Sequence, residues 1–384
     1  MKLRTAFGAA AAITAAALAL SGCAQKSTAT QGGGAGDVKT VRVFISGDTN
    51  IQKLWTDDLG PAFEKANPGY KVQITLDLHG EHDAQTMAKL SASVAQKKDP
   101  GFDLVDGGFV AKASAANLLD PVEESKFSTL NDIPADVVKA GGTGGIPYRG
   151  SSVLLAYDSK AVPAPPKTLD DLLAWIKANP GKFTYNSPKS GGSGGAFVAT
   201  VLDKYVPADA RQKMTVGYDK GLESNWDQGF ATLHGLNPYV YQKGVYPNGN
   251  QQVLDLLANG QISMAPVWSD QFTTAVANGA IPSTVKAAQI SDPSFTGGAA
   301  YLGVPASSPS KDAAVKLADF VLQPAQQAMI VKDISGYPAI SLAKLPPELQ
   351  SKWANANTDN LRKGYFDSMT KDLNNLWDQK VPGK

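Results

Sequence analysis

The chain has 384 residues, 36 basic and 35 acidic, a formal net charge of +1, 43% hydrophobic residues and a single cysteine. A near-neutral balance without a basic stripe supplies no counterion release against a phosphate backbone, which argues against nucleic acid as a partner. One cysteine permits no internal disulfide and no Cys-ligated zinc site, so stability comes from a buried core, and the length favours two domains.

Lys2 and Arg4 precede an apolar run from Ala6 to Leu20, and small residues follow. A basic start, ~15 apolar residues and a small-residue cut site describe a secretory signal over residues 1–22, short for a membrane span. Its removal lowers the 36 basic residues to 34, so the mature charge is near −1. Leu20-Ser21-Gly22-Cys23 resembles the lipobox of bacterial lipoproteins, which implies a diacylglycerol anchor on Cys23 and membrane attachment through lipid. Residues 23–37 are small, polar and glycine-rich, the composition of a flexible tether.

Strand and helix patterns then alternate. Val41–Ile45 is β-rich and stops at Ser46-Gly47-Asp48-Thr49, a helical pattern runs through Leu54, Leu59 and Phe63, and Lys71–Leu76 alternates at period two. A helix over 85–95 leads to Asp103–Gly108, an apolar strand entering a loop. Val153–Tyr157 reads as a strand, and 168–179 as a helix with Thr168 as N-cap and Asp170 and Asp171 in its first turn. The glycine loop 187–195 opens a helix over 196–205; 251–258 and 269–277 are helical around a strand at 261–266. A strand at 299–304, an amphipathic helix at 311–322 and a loop at 333–340 follow. Such alternation predicts an α/β fold with a parallel-type sheet.

Four stretches, in this order, resemble the extracellular solute-binding proteins of bacterial ABC importers. They are Asp103–Gly108 leading to Leu118-Leu119-Asp120-Pro121; Gly145-Ile146-Pro147-Tyr148 with 153–158 and 165–172; Leu257–Ala265 running toward Trp268; and Tyr301–Pro305 with 313–322. The resemblance spans almost the whole mature chain. It implies a two-lobed type 2 periplasmic-binding-protein fold with two crossing segments at the hinge: residues 38–150 as the first part of lobe 1, 151–298 as lobe 2, and 299–384 returning to lobe 1 with C-terminal helices. It further implies a monomer that takes a small-molecule solute to an ABC permease, with no cofactor and no chemistry. The Ser190–Gly195 loop points to the branch containing iron(III)-, polyamine- and thiamine-binding proteins.

The residues themselves nominate a site. Ser190, Gly191, Gly192 and Ser193 could offer backbone N–H groups and hydroxyls at a helix N-terminus, a cradle for an anionic or strongly polar group. Tyr148, Tyr185, Trp268, Tyr301 and Tyr337 lie near element ends and suit ring stacking or a cation over a face. Trp226 reads as core beside Phe230 and Leu233. Ser46, Asp48 and Thr49 follow the first strand, where α/β proteins place ligands. Arg149 can pair with a carboxylate or phosphate, and Asp270 follows Trp268. The expected solute is thiamine-like, phosphorylated or otherwise charged; a sugar stacked on Trp268 is the alternative.

Gly191–Gly195 also satisfies G-x-S-x-G, so a secreted hydrolase using Ser193 has to be weighed, although no apolar strand runs straight into the turn and the only later histidine is His234. His79-Gly80-Glu81-His82 has metal-compatible donors but reads as a surface loop, and no metal is expected. The absence of a Tyr-Tyr pair weighs against iron(III).

Overall fold

The computed structural model describes residues 38–78, 80, 82–353 and 361–382. The expected signal peptide, Cys23, the tether, His79 and Glu81 lie outside the described residues. Strand β1 (Lys39–Gly47) buries Val41, Val43 and Ile45 at every second position, the signature of a strand with one face on the core. It pairs in parallel with β2 (Tyr70–Leu78) and with β3 (Leu104–Gly107). The connections explain the direction: the helical run Thr49–Ala66 carries the chain to β2, and helix Asp83–Gln96 carries it to β3.

The next strand, β4 (Gly145–Asp158), is 14 residues long and joins the molecule's two halves. Its first half pairs with β7 (Gly297–Gly303) and β8 (Tyr337–Pro338); its second half pairs with β5 (Met264–Trp268) and β6 (Val285–Ala288). The sheet order is β2-β1-β3-β7-β4-β5, with β6 and β8 also on β4. The sheet is therefore mixed rather than parallel. β7 runs back from the second half toward the first, so it meets both β4 and β3 antiparallel.

Two aromatic-rich cores lie on either side of this crossing. Ile146 and Tyr148 of β4 pack with Val43, Trp55, Phe63, Leu302 and Leu317, whereas Val153 and Leu155 pack with Phe183, Tyr185, Phe197, Trp226 and Phe295. β4 and the stretch from Phe295 through β7 are the two crossing segments. Of residues 299–384, helices Lys311–Val321 and Pro324–Asp333 pack in the first core, but helix Asp367–Lys380 inserts Met369, Leu373 and Trp377 into the second. Trp377 donates its indole N–H to the Tyr185 hydroxyl at 3.3 Å, so the chain end closes the second core.

Helix Leu169–Ala178 starts as expected, with the Thr168 hydroxyl accepting the Asp171 N–H at 3.1 Å. Helix Gly192–Asp203 begins four residues before the expected start, inside the glycine loop. Among the described residues no cluster of three His, Cys, Asp or Glu side chains is placed to hold a metal, and no helix is long and apolar enough to cross a membrane. His82 instead pairs through Nδ1 with Asp77 at 2.8 Å.

Candidate ligand-binding cleft

Parallel pairing puts Ser46 of β1 opposite Gly107 of β3, so both strands deliver their carboxyl ends to one place. Ser46, Gly47 and Asp48 leave β1 there, and Asp106, Gly107 and Gly108 leave β3. Arg149 and Ser151 come from the middle of β4, Trp268 from the end of β5, and Asp270 and Gln271 from the first turn of helix Ser269–Ala277. With Asn50, Ile51 and the Thr296–Tyr301 segment they line a cavity of about 380 Å³ at the crossing of the two halves.

Its charge is organised around Arg149. The buried guanidinium donates through Nε to the Tyr148 hydroxyl at 2.6 Å and through Nη1 to Asp270 at 3.2 Å. Burial alone would ease its proton off, but Tyr148, Asp270 and Asp106 outweigh that, and its pKa lies above the ordinary arginine value. Asp270 also accepts the Ser151 hydroxyl at 2.7 Å. Asp106 takes the Trp55 indole N–H at 2.9 Å and the Tyr148 hydroxyl at 2.5 Å, both on Oδ2. Burial pushes the Asp106 carboxyl up; Arg149, Tyr148 and Trp55 pull it back only in part. The lining thus carries three carboxylates, Asp48, Asp106 and Asp270, against one guanidinium.

Asn50 is the least satisfied group of the wall. It is 8% exposed, and neither its amide nitrogen nor its amide oxygen has a partner among the described residues. Nearly all buried polar groups of native proteins are paired, so this amide calls for a partner that the described residues do not supply.

The glycine loop has a different job from the expected one. Ser193 is fully buried; its hydroxyl lies 2.9 Å from Asn186 Oδ1 and 2.8 Å from Asn250 Oδ1, which also accepts the Ser193 N–H at 3.3 Å. Asn186 Oδ1 further accepts the Gly194 N–H at 2.9 Å. Two asparagines thus occupy the donors that an anion would need, and Ser190, Gly191, Gly192 and Ser193 are not in the cavity wall. The glycines serve close approach. A Cβ on Gly194 would sit 1.8 Å from the Asn186 carbonyl oxygen, and one on Gly192 would sit 2.9 Å from the Trp268 ring. The loop therefore seats Trp268. Asn250 also donates through Nδ2 to Asp48 at 3.3 Å, a bond between the β1 end and the half that contains β5.

Of the residues nominated from sequence, Ser46, Asp48, Arg149, Trp268, Asp270 and Tyr301 stand in the wall. Tyr148 lies behind it, fully buried and holding Arg149 and Asp106. Tyr337 is outside, its hydroxyl 3.1 Å from that of Ser152; Thr49 is exposed at a helix start. Asn50, Asp106, Ser151 and Gln271 are additions that only the fold reveals. The hydrolase arrangement is not built: Ser193 is sealed, and His234 contacts the Val381 carbonyl oxygen at 3.1 Å.

Similarity to known proteins agrees with this architecture. Residues 59–357 match the family of bacterial extracellular solute-binding proteins. The protein YnjB of Escherichia coli K12 is 26% identical over 191 residues, 47% of this chain and 46% of that protein, so the alignment spans about half of each. Among solved structures, maltose-bound MalE3 of T. maritima superposes with a TM-score of 0.69 at 16% identity, over 88% of this chain and 93% of that one. The spermidine/putrescine ABC transporter substrate-binding protein PotD of Streptococcus pneumoniae gives 0.65 at 14% identity, over 89% and 99%. The fold is theirs, two α/β lobes around a cleft. With its family model covering most of the sequence and a polar cavity at the crossing of two cores, the chain belongs to the bacterial extracellular solute-binding proteins.

Proposed function

We propose that the solute is a small organic molecule with a cationic centre, held by Asp48 and Asp106, with a hydrogen-bonding group on the Asn50 amide and an apolar or ring portion against Trp268. The observation that carries this reading is the excess of acid in the wall, since the one guanidinium present is already bonded to Asp270. Within the charged solutes expected from sequence, a thiamine-like or polyamine-like cation then ranks above a phosphorylated one, because the glycine loop's donors are taken by Asn186 and Asn250. The spermidine/putrescine-type relative shares the fold, and its named ligands are of this chemical class.

The test is thermal unfolding of the full chain against thiamine, polyamines, amino acids, sugars, sugar phosphates and ferric ion. A ligand at 100 times its dissociation constant adds about 2.7 kcal/mol, a visible shift. The expected result is a shift with nitrogen cations only; a shift confined to sugars or phosphates overturns the reading. The sugar alternative rests on one observation, the partly exposed Trp268 ring in the wall.

The same reading includes the envelope setting: cleavage after residue 22, a lipid on Cys23, residues 23–37 as tether, a monomer with lobe boundaries near 150 and 298, and delivery to a membrane permease. Membrane fractionation checks the anchor. Cys23→Ala should move the protein from the membrane to the soluble extracytoplasmic fraction, and continued membrane retention overturns the lipid assignment.

A further inference from the structure

A second cavity, about 450 Å³, lies apart from the cleft in the half that contains β5. Helix Ala208–Val216 contributes Arg211 and Thr215, the turn before β7 contributes Ser291 and Ser294, and the segment ahead of the last helix contributes Arg362 and Lys363. We propose that this cavity is a second binding site, for a small oxyanion such as phosphate or a carboxylate. The proposal does not depend on the identity of the solute in the cleft.

Arg362 carries the argument. It is 7% exposed, and its Nε donates to the buried carboxylate of Asp203, whose other oxygen accepts the Tyr365 hydroxyl. Nη1 donates to Thr296 Oγ1 at 3.3 Å, and the guanidinium carbon lies 4.3 Å from the Tyr365 ring centre. Nη2 is buried and has no partner among the described residues. Neutralising Asp203 requires only the Nε side of the fork. A planar guanidinium presents paired donors that match two oxygens of one anion, and Nη2 is the donor of Arg362 that the described residues leave without a partner.

The surroundings favour the same charge. Exposed Arg211 and Lys363 join Arg362 in the wall, where the single carboxylate among the described residues is Asp292, exposed and 3.3 Å from the Ser291 hydroxyl. Arg362 is already paired with Asp203, so Arg211 and Lys363 against Asp292 leave the described lining with an excess of positive charge. The two cavities have opposite charge excess. One hydrogen bond links them, from Arg362 Nη1 to Thr296 Oγ1 in the cleft lining.

The experiment is isothermal titration of the full chain with inorganic phosphate at ionic strength held by sodium chloride, repeated with acetate and citrate to separate phosphate from carboxylate. The expected result is a saturating site whose affinity falls at least tenfold in the double variant R211A/K363A, both exposed positions, and is lost in Arg362→Lys, which keeps a charge for Asp203 but removes the fork. Asp48→Asn, a change in the cleft, should leave anion binding untouched. Absence of saturable binding by any of these anions overturns the proposal. So does equal affinity in R211A/K363A, or loss of binding in Asp48→Asn, which would place the anion in the cleft.

Discussion

Asp103, just before β3, and Asp106, within it, are both buried and are used in opposite ways. Asp103 accepts the Arg42 backbone N–H at 3.0 Å, Arg42 Nε and Nη2 at 2.8 Å each, and the Ser308 hydroxyl at 2.8 Å. Burial pushes its carboxyl up, but the Arg42 bonds prevail and hold it below the usual carboxylate range. Asp106 has two neutral donors, both on Oδ2, and an arginine whose charge is shared with Asp270; burial prevails there, and its pKa rises. An acid saturated with charge-assisted bonds contributes stability. One left short of cationic partners in a cavity wall is held ready for a ligand.

That contrast can be broken by exchanging each carboxyl for its amide. Asp103→Asn strips a charged partner from Arg42 inside the first core and should cost about 3 kcal/mol, the low end for breaking a buried pair because Arg42 is partly exposed. Urea unfolding reads this loss, and solute affinity should be unchanged. Asp106→Asn should do the reverse: affinity for the cationic solute falls about 100-fold, or ~2.7 kcal/mol, while unfolding stability is kept or raised. Equal destabilisation by both variants would mean that Asp106 is as structural as Asp103.

Titration sharpens the same contrast. An acid with a raised folded pKa stabilises the fold below its ordinary value of 3.8, and that contribution is lost as pH rises through the higher folded value; Asp106 is of this kind. An acid with a lowered folded pKa contributes stability at neutral pH that is lost as pH falls through its folded value; Asp103 is of this kind. Solute capture needs Asp106 ionised. Affinity should therefore drop on acidification while the pH is still above 3.8, with proton release on binding, and calorimetry in two buffers of different ionisation enthalpy should detect that release. Asp106→Asn should abolish the release.

How far the sequence carried the reading follows from which interactions are local. Period-two burial in Val41, Val43 and Ile45, the Thr168 cap and the helix at 269–277 are decided within a few residues, and they are where the pattern placed them. Ser46, Asp48, Trp268 and Asp270 could be nominated because they follow strands, where such folds place ligands, and with Arg149 they stand in the cavity wall. The glycine loop misled, since a helix N-terminus looks the same in sequence whether an anion or an asparagine takes its donors. The decisive asparagines lie 7 and 57 positions from Ser193. Asp106 was invisible for the same reason: its partners Trp55 and Tyr148 are 51 and 42 positions away, and only they distinguish it from Asp103. The terminal helix could not be assigned to the second core before Trp377 was seen on Tyr185, 192 positions distant.

The smallest effects test the contrast between two asparagines. Asn250 is satisfied: its amide oxygen accepts from Ser193, and its nitrogen donates to Asp48 across the two halves. Asn50 is buried with neither end bonded among the described residues. Asn250→Ala should cost about 1–2 kcal/mol by leaving the Ser193 N–H and hydroxyl short of an acceptor, and should also weaken solute binding by removing a bond that favours the approach of the β1 end. Asn50→Ala removes an unpaired amide from a helix and improves helix propensity, so stability should stay level or rise by up to about 1 kcal/mol. Its cost should appear only in the complex, as a loss of roughly tenfold in affinity once the ligand's polar group has no amide to meet. Thermal midpoints with and without ligand separate the two: Asn250→Ala lowers both, whereas Asn50→Ala lowers only the liganded one. A free Asn50→Ala protein that melts as early as Asn250→Ala would show that the Asn50 amide already has its partner, and the solute's hydrogen-bonding group would then have to be sought at Gln271.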